Sequence, residues 1–267
     1  MRLTIRHETI YRYASPVRYT IQQLRLSPAA SQVQRVVNWR LSAPGKLTPA
    51  VDAYGNLMHT LVLHQPHSEI HLLAEGEVET VALTDGCLGR EESTVPVLSF
   101  ASATSLTRRS DAIDAMAREA ALATPDDLLA LAQAICGRVD YESGITEVTS
   151  TASHALELGR GVCQDHAHLM LAICRARGIP ARYVSGYLDP GDVPHAASHA
   201  WADIWLDGLG WVSVDVTHAC FASGNYCRLA VGRDYESAAP VRGMRSGGHT
   251  EDLHVTVSVD ALPVVQQ

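Results

Sequence analysis

Through the first hundred residues, apolar and polar positions trade places every second residue. Leu3, Ile5 and His7 alternate with Arg2, Thr4 and Arg6, and Tyr11 and Tyr13 extend the run, which has the period of a half-buried strand. Similar runs occupy 33–41, 57–63 and 69–83. Turn signals separate them: Ser42-Ala43-Pro44-Gly45, Tyr54-Gly55-Asn56 and Gln65-Pro66-His67. Short strands at this spacing predict a β-sandwich. A Ser/Thr-rich stretch from 93 to 107 ends the pattern and marks the expected boundary between a domain at 1–100 and a second at 101–267.

Beyond that stretch the period lengthens. Residues 110–122 are Ala-rich and helical. Thr124-Pro125-Asp126-Asp127 supplies a cap, a proline at the first helical position and acid in the first turn, so a second helix is predicted from there to about Arg138. A third opens at Gly161-Val162-Cys163 and stops at Gly178-Ile179-Pro180. Strand-like runs follow at 181–188, 198–206 and 211–217, the last two joined by the hairpin signal Asp207-Gly208-Leu209-Gly210. Leu253, Val255, Val257 and Val259 then predict a final half-buried strand. The expected class is α+β, a β-sandwich followed by helices packed on an antiparallel sheet.

Composition narrows the function classes. Of 267 residues, 46% are hydrophobic and 19% charged, too apolar for a disordered chain. The formal net charge is −8, which argues against a nucleic-acid or anionic-membrane partner because no basic surplus exists to neutralise phosphates. The six cysteines, at 87, 136, 163, 174, 220 and 227, show no C-x-x-C pair and do not make a disulfide framework. Neither an apolar leader core at the N-terminus nor a long uninterrupted apolar run is present, so a cytoplasmic protein is expected.

One cysteine stands apart. Cys163 falls at the predicted helix start, where unpaired N–H groups and the helix dipole favour a thiolate. The preceding Gly159-Arg160-Gly161 lets the backbone approach closely, and N–H groups there are placed to hold an oxyanion. His199 begins one strand of the hairpin and Asp215 ends the next. A three-residue loop with Gly210 as a bulge pairs 206 with 210, sets 201 opposite 215 and leaves His199 diagonal to Asp215. That diagonal, about 7–8 Å, is within reach of an imidazole and a carboxylate. The pattern suits a nucleophile, a base and the acid that orients it.

The runs Gly161-Val-Cys163-Gln-Asp-His-Ala-His-Leu169, Ala181-Arg-Tyr-Val-Ser-Gly-Tyr187, Ser198-His199-Ala-Trp201 and Asp215-Val-Thr217 together resemble the bacterial transglutaminase-like superfamily. Residues 1–100 resemble the β-domain that accompanies this core, most distinctively at Asp52-Ala-Tyr-Gly-Asn56, and Val231-Gly-Arg-Asp-Tyr235 with Pro240-Val-Arg-Gly243 resembles the family's tail. The resemblance implies a papain-like fold for the core, with Cys163 as nucleophile, His199 as base and then acid, and Asp215 as the group orienting His199. It also implies a peptide or protein amide substrate and a thioester intermediate. Water as acceptor makes the enzyme a cysteine peptidase or amidase, an amine makes it a transglutaminase, and a non-catalytic protein-binding module is the further alternative. His166 stands where an aromatic is common, and Val216 where proline is.

No cofactor is expected. The histidine clusters His64/His67/His71, His166/His168 and His195/His199 are read as surface, split-face and loop residues rather than metal ligands, and Cys220 and Cys227 as reduced thiols. Calcium is not implied either, for want of a D-x-[DN]-x-[DN] loop. Trp201, Trp205 and Trp211 are expected to pack in the core rather than to line the site.

Overall fold

In the computed structural model, which describes residues 1–262 apart from 92, 94, 190 and 192–197, the N-terminal alternation runs far beyond Tyr13. Strand β1 spans Arg2–Leu24 and buries Leu3, Ile5 and His7 at one end and Thr20, Gln22 and Leu24 at the other. Its register against its neighbour shifts between Arg12 and Val17. Pro16 falls in that gap, where its missing N–H interrupts no ladder bond.

The bend gives β1 two sets of partners. Residues 2–12 pair with β5 (His67–Thr80), which in turn carries β2 (Gln34–Ser42). Residues 20–24 pair with β4 (Leu57–Leu63), which carries β3 (Leu47–Val51). Both halves contribute to one buried cluster: Tyr13 and Leu24 from β1, Leu61 from β4, and Ile70 and Leu72 from β5. One hydrogen-bonded sheet of seven strands therefore curls around its own core. The two remaining strands come from far along the sequence, at 241–247 and 251–262, and both lie antiparallel to β1.

Strand β6 (Cys87–Gly89) already belongs to a second sheet. After it come α1 (Asp111–Glu119), α2 (Pro125–Cys136), β7 (Asp140–Tyr141), α3 (Ala152–Leu158), β8 (Arg160–Gly161) and α4 (Cys163–Ala176). The α2 cap is a full capping box between Thr124 and Asp127, as its sequence predicts. Strands β9 (Ala181–Leu188), β10 (Ser198–Leu206), β11 (Gly210–Asp215), β12 (Cys220–Phe221) and β13 (Tyr226–Gly232) form the sheet in the order β12-β11-β10-β9-β13. The short α5 (Tyr235–Ala238) leads to β14 (Val241–Gly247) and β15 (Glu251–Leu262).

Helix α4 is buried on every side from Gln164 to Arg175, which marks it as a central helix rather than a surface one. Leu169, Met170, Leu171 and Ile173 pack with Ala181, Ala202, Ile204 and Val212 of the sheet beneath. The buried Arg175 guanidinium stitches the Ser/Thr-rich connection to this helix. Its donors reach Phe100 O at 2.9 Å, Thr107 Oγ1 at 2.8 Å and Ala181 O at 2.7 Å.

The Asp52-Ala-Tyr-Gly-Asn56 run joins the two sheets. Asp52 Oδ1 accepts the Tyr54 and Asn56 N–H groups, closing the turn, while its other oxygen takes the Arg25 guanidinium at 2.8 Å. Asn56 then faces β13: Nδ2 donates to Val231 O at 2.7 Å and Oδ1 accepts Val231 N–H at 2.8 Å. A side-chain amide here replaces a neighbouring strand. Asn56→Ala leaves both Val231 groups unpaired, and the expected loss of stability is about 3 kcal/mol, read from the urea midpoint. An unchanged midpoint would assign the joint to other contacts.

The last alternating run forms β15, but its burial departs from expectation. Val259 is buried and Val257 partly so, whereas Leu253 and Val255 are 51% and 47% exposed. Only the end of β15 beside Leu3 and Ile5 is covered by the cluster that contains Tyr187 and Leu229.

Candidate active site

Helix α4 begins at Cys163, and its first turn is wired before any catalytic group is considered. Asp165 Oδ2 accepts the Val162 N–H at 2.9 Å and the Thr146 hydroxyl at 2.7 Å, tying the incoming chain to the helix. Gly161 lies so close that a Cβ there would sit 2.7 Å from that carboxylate oxygen, so only glycine fits. The Gly-Arg-Gly backbone is otherwise engaged: β8 pairs with β7, and Glu142 N–H donates to Gly161 O at 2.8 Å. The Val162 amide is thus unavailable as an oxyanion donor. The Cys163 amide, in the first turn, belongs to the set that a helix leaves without an intrahelical partner.

The β10–β11 hairpin has the register its sequence predicts. Leu206 pairs with Gly210 and Ala202 with Val214, which places Trp201 and Asp215 opposite one another in continuation. Gly210 is required twice, by its φ of +89° and by a Cβ that would lie 2.4 Å from the Gly89 backbone. His199 and Asp215 meet across the diagonal, Nε2 to Oδ2 at 2.7 Å. Their side chains are 5% and 0% exposed.

Cys163 is the other hydrogen-bond partner of the His199 ring. Burial alone would lower the His199 pKa. The bonds to Asp215 and Cys163 outweigh it and push the value up to about 10. For Asp215 burial acts upward, but His199 and His218 hold the carboxyl well below the usual carboxylate range. The ring is therefore an imidazolium on a carboxylate through neutral pH, with a half-buried sulfur on its other side.

Two partners of Asp215 were not anticipated from the sequence. Oδ2 also accepts His218 Nδ1 at 2.6 Å and the Tyr226 hydroxyl at 2.7 Å, and Oδ1 accepts the His218 N–H at 3.2 Å. The i,i+3 spacing of Asp215 and His218 is a weak signal, and nothing local brings Tyr226 from β13 to the end of β11. Trp201 stacks on His199 with centroids 6.3 Å apart. Trp205 and Trp211 instead pack in the cluster holding Leu88 and Phe100.

Among the described residues all six cysteines are free thiols. Burial raises the pKa of Cys87, Cys136 and Cys220, and takes those of Cys174 and Cys227 to about 12. These five are poor nucleophiles near neutral pH.

The other histidines take separate partners. His166 bridges Thr217 Oγ1 and Val139 O, His168 Nε2 accepts the Tyr235 N–H, His67 meets Thr20 and His71 meets Glu8. His195 lies outside the described residues. His199, Asp215 and His218 have ligand atoms within 4.8 Å of one another, but a metal there would displace the hydrogen bonds that orient His199.

Comparison with known proteins places these features in context. Residues 111–216 match the family model of the transglutaminase-like superfamily, and residues 3–79 that of the bacterial transglutaminase-like N-terminal region. An uncharacterized protein of Mycobacterium leprae is 32% identical over 282 residues, covering 98% of this chain and 99% of its own. A protein-glutamine gamma-glutamyltransferase of Pseudomonas aeruginosa is 35% identical over 100 residues, 33% of this chain and 15% of that one. A crystal structure of a candidate cysteine protease from Cytophaga hutchinsonii superimposes with a TM-score of 0.78 at 22% identity, covering 100% of this chain and 92% of the other.

Proposed function

Because the chain belongs to the transglutaminase-like superfamily, we propose that it is a cysteine peptidase or amidase working through Cys163, His199 and Asp215. The observation that carries this reading is the continuous chain of contacts from the helix-start thiol through a buried imidazole to a buried carboxylate.

The steps follow from those contacts. The Cys163 thiolate attacks the carbonyl carbon of an amide, and the carbonyl electrons move onto oxygen. The Cys163 N–H, at the positive end of α4, stabilises that oxyanion. His199 gives its proton to the departing nitrogen, the C–N bond breaks and a thioester remains. His199, now neutral, takes a proton from water as the water attacks the thioester, and the sulfur leaves as thiolate. Asp215 keeps the ring oriented and stabilises its charged form throughout.

An amine in place of water would make the same thioester a transglutaminase intermediate. The similarity over 100 residues to a protein-glutamine gamma-glutamyltransferase favours this second reading. Both outcomes are read in one incubation of the protein with a peptide library and a labelled primary amine. New peptide termini without label are expected. Label in the peptides would establish transfer instead, and neither product, with all six thiols alkylated equally slowly by iodoacetamide, would overturn the enzymatic reading.

A further inference from the structure

Asp215 is the last residue of β11, and the chain turns back at once. A tight turn from Val216 to Ala219 is closed by the Ala219 N–H on Val216 O at 3.2 Å, and β12 then pairs with β11, Cys220 opposite Asp215. The turn carries His218 back over the carboxylate. Its backbone N–H donates to Oδ1 at 3.2 Å and its Nδ1 meets Oδ2 at 2.6 Å, so one residue holds both oxygens. An ionised carboxylate only accepts, and Nδ1 therefore carries the proton in that bond. The Tyr226 hydroxyl also donates to Oδ2, at 2.7 Å. Burial and the charge of Asp215 both raise its pKa, which keeps it a donor.

The turn is itself bolted to two helices. Cys136, the last residue of α2, donates its S–H to Val216 O at 2.9 Å. On α4, three residues after Cys163, His166 Nε2 donates to Val139 O at 2.9 Å. Burial lowers the His166 pKa, and the neutral ring leaves Nδ1 to accept the Thr217 hydroxyl at 3.0 Å. The helix that carries the nucleophile thus grips the residue next to His218. From Cys163 the contacts run through His166 and Thr217 to His218, Asp215 and His199, and back to Cys163.

This circuit controls one angle. Oδ2 accepts from His199, His218 and Tyr226 at once, each within 2.7 Å, and those donors come from β10, the turn and β13. A carboxylate that rotated about its Cβ–Cγ bond would swing Oδ2 away and release His199 Nε2. We propose that His218 is a positioning residue for the amide reaction: it fixes the plane of the Asp215 carboxylate so that Oδ2 stays on His199. It acts through Asp215 rather than on the substrate. The grip of His166 on Thr217 keeps the turn in place relative to Cys163. The assignment rests on the thiol-enzyme function proposed above.

Two readouts in the full-length protein test it, and neither needs a substrate. One is the proton resonance of His199 Nε2–H, assigned by its absence from His199→Gln. The other is the rate at which iodoacetamide alkylates Cys163 near neutral pH. His218→Ala keeps the backbone N–H on Oδ1 but frees the carboxylate plane. Its resonance is expected to broaden or vanish through exchange with water, and alkylation to slow about tenfold as the imidazole loses its orientation. The urea midpoint should change little, because the His218 side chain is 33% exposed. His218→Asn places an amide N–H where Nδ1 stood and is expected to restore the resonance and most of the rate. A resonance and rate unchanged in His218→Ala, a lowered midpoint with the resonance intact, or an asparagine variant that behaves like the alanine one would overturn the role. Alkylation of Cys163 no faster than that of the other thiols in the unmodified protein would instead remove the thiol-enzyme reading. The resonance and its response to the two variants would still decide whether His218 holds the carboxylate.

Discussion

Cys163→Ala is expected to reduce amide turnover roughly 10⁴-fold or more while the protein stays folded. The size of the effect follows from the chemistry: without the sulfur there is no thioester, and His199 has no nucleophile beside it to share a proton with. The fold should hold because Cys163 is only half-buried and packs at the edge of the core, whose fully buried apolar residues on α4 begin at Ala167. Thiol labelling gives a substrate-independent reading of the same claim. One rapid alkylation by iodoacetamide near neutral pH is expected in the unmodified protein and none in the variant, since burial raises the pKa of the other five thiols. Full activity in Cys163→Ala would end the assignment.

Asp203→Ala is expected to be the most damaging change for stability. Asp203 is 0% exposed and carries two guanidinium groups: Arg182 Nε at 2.8 Å and Arg228, whose two terminal nitrogens reach both carboxylate oxygens. Ser213 donates to Oδ1 at 2.8 Å, and Arg182 lies over the Trp211 ring, 4.3 Å from its centroid. Removing the carboxylate strands the Arg228 guanidinium, 13% exposed, and leaves the buried Arg182 with Glu91 as its remaining carboxylate partner, at a cost of about 3–5 kcal/mol. Asp203→Asn keeps the shape and one acceptor and should lose less. The pH dependence has a definite sign. Burial pushes the Asp203 pKa up, but Arg228 and Arg182 prevail and hold it below the usual carboxylate range. Its contribution is therefore complete above the unfolded-state value, roughly 4, and is lost as pH falls through the folded one. Denaturation midpoints from pH 7 downward should converge for the two proteins; parallel curves would mean that the cluster is not what Asp203 supports.

Much of the site was legible because its parts are local. A glycine turn before an apolar helix placed Cys163. A three-residue loop closed by Gly210 sets the register that brings His199 to Asp215, and the observed ladder repeats that register pair by pair. What could not be read depends on distant segments. Tyr226 reaches Asp215 only because β13 lies across β9 from β10. The burial of β15 failed for a related reason. Its alternation states that two faces exist, whereas coverage of Leu253 and Val255 depends on where neighbouring elements end. The Asp52–Asn56 run is distinctive as sequence, but its role depends on Val231, which lies 175 positions away and pairs with Asn56.

Strand β1 has a consequence for the order of events in synthesis. Residues 2–24 leave the ribosome more than two hundred positions ahead of 241–262, their antiparallel partners on one side. Until those arrive, one flank of a long, half-apolar strand has nothing to pair with and is open to strands of other chains. Closing so large a loop is slow, which places this protein among the high-contact-order folds. A nascent chain halted between residues 176 and 241 would hold the nucleophile helix beside an unfinished sheet. Aggregation of such fragments, rather than loss of catalytic residues, would be the first sign of premature termination.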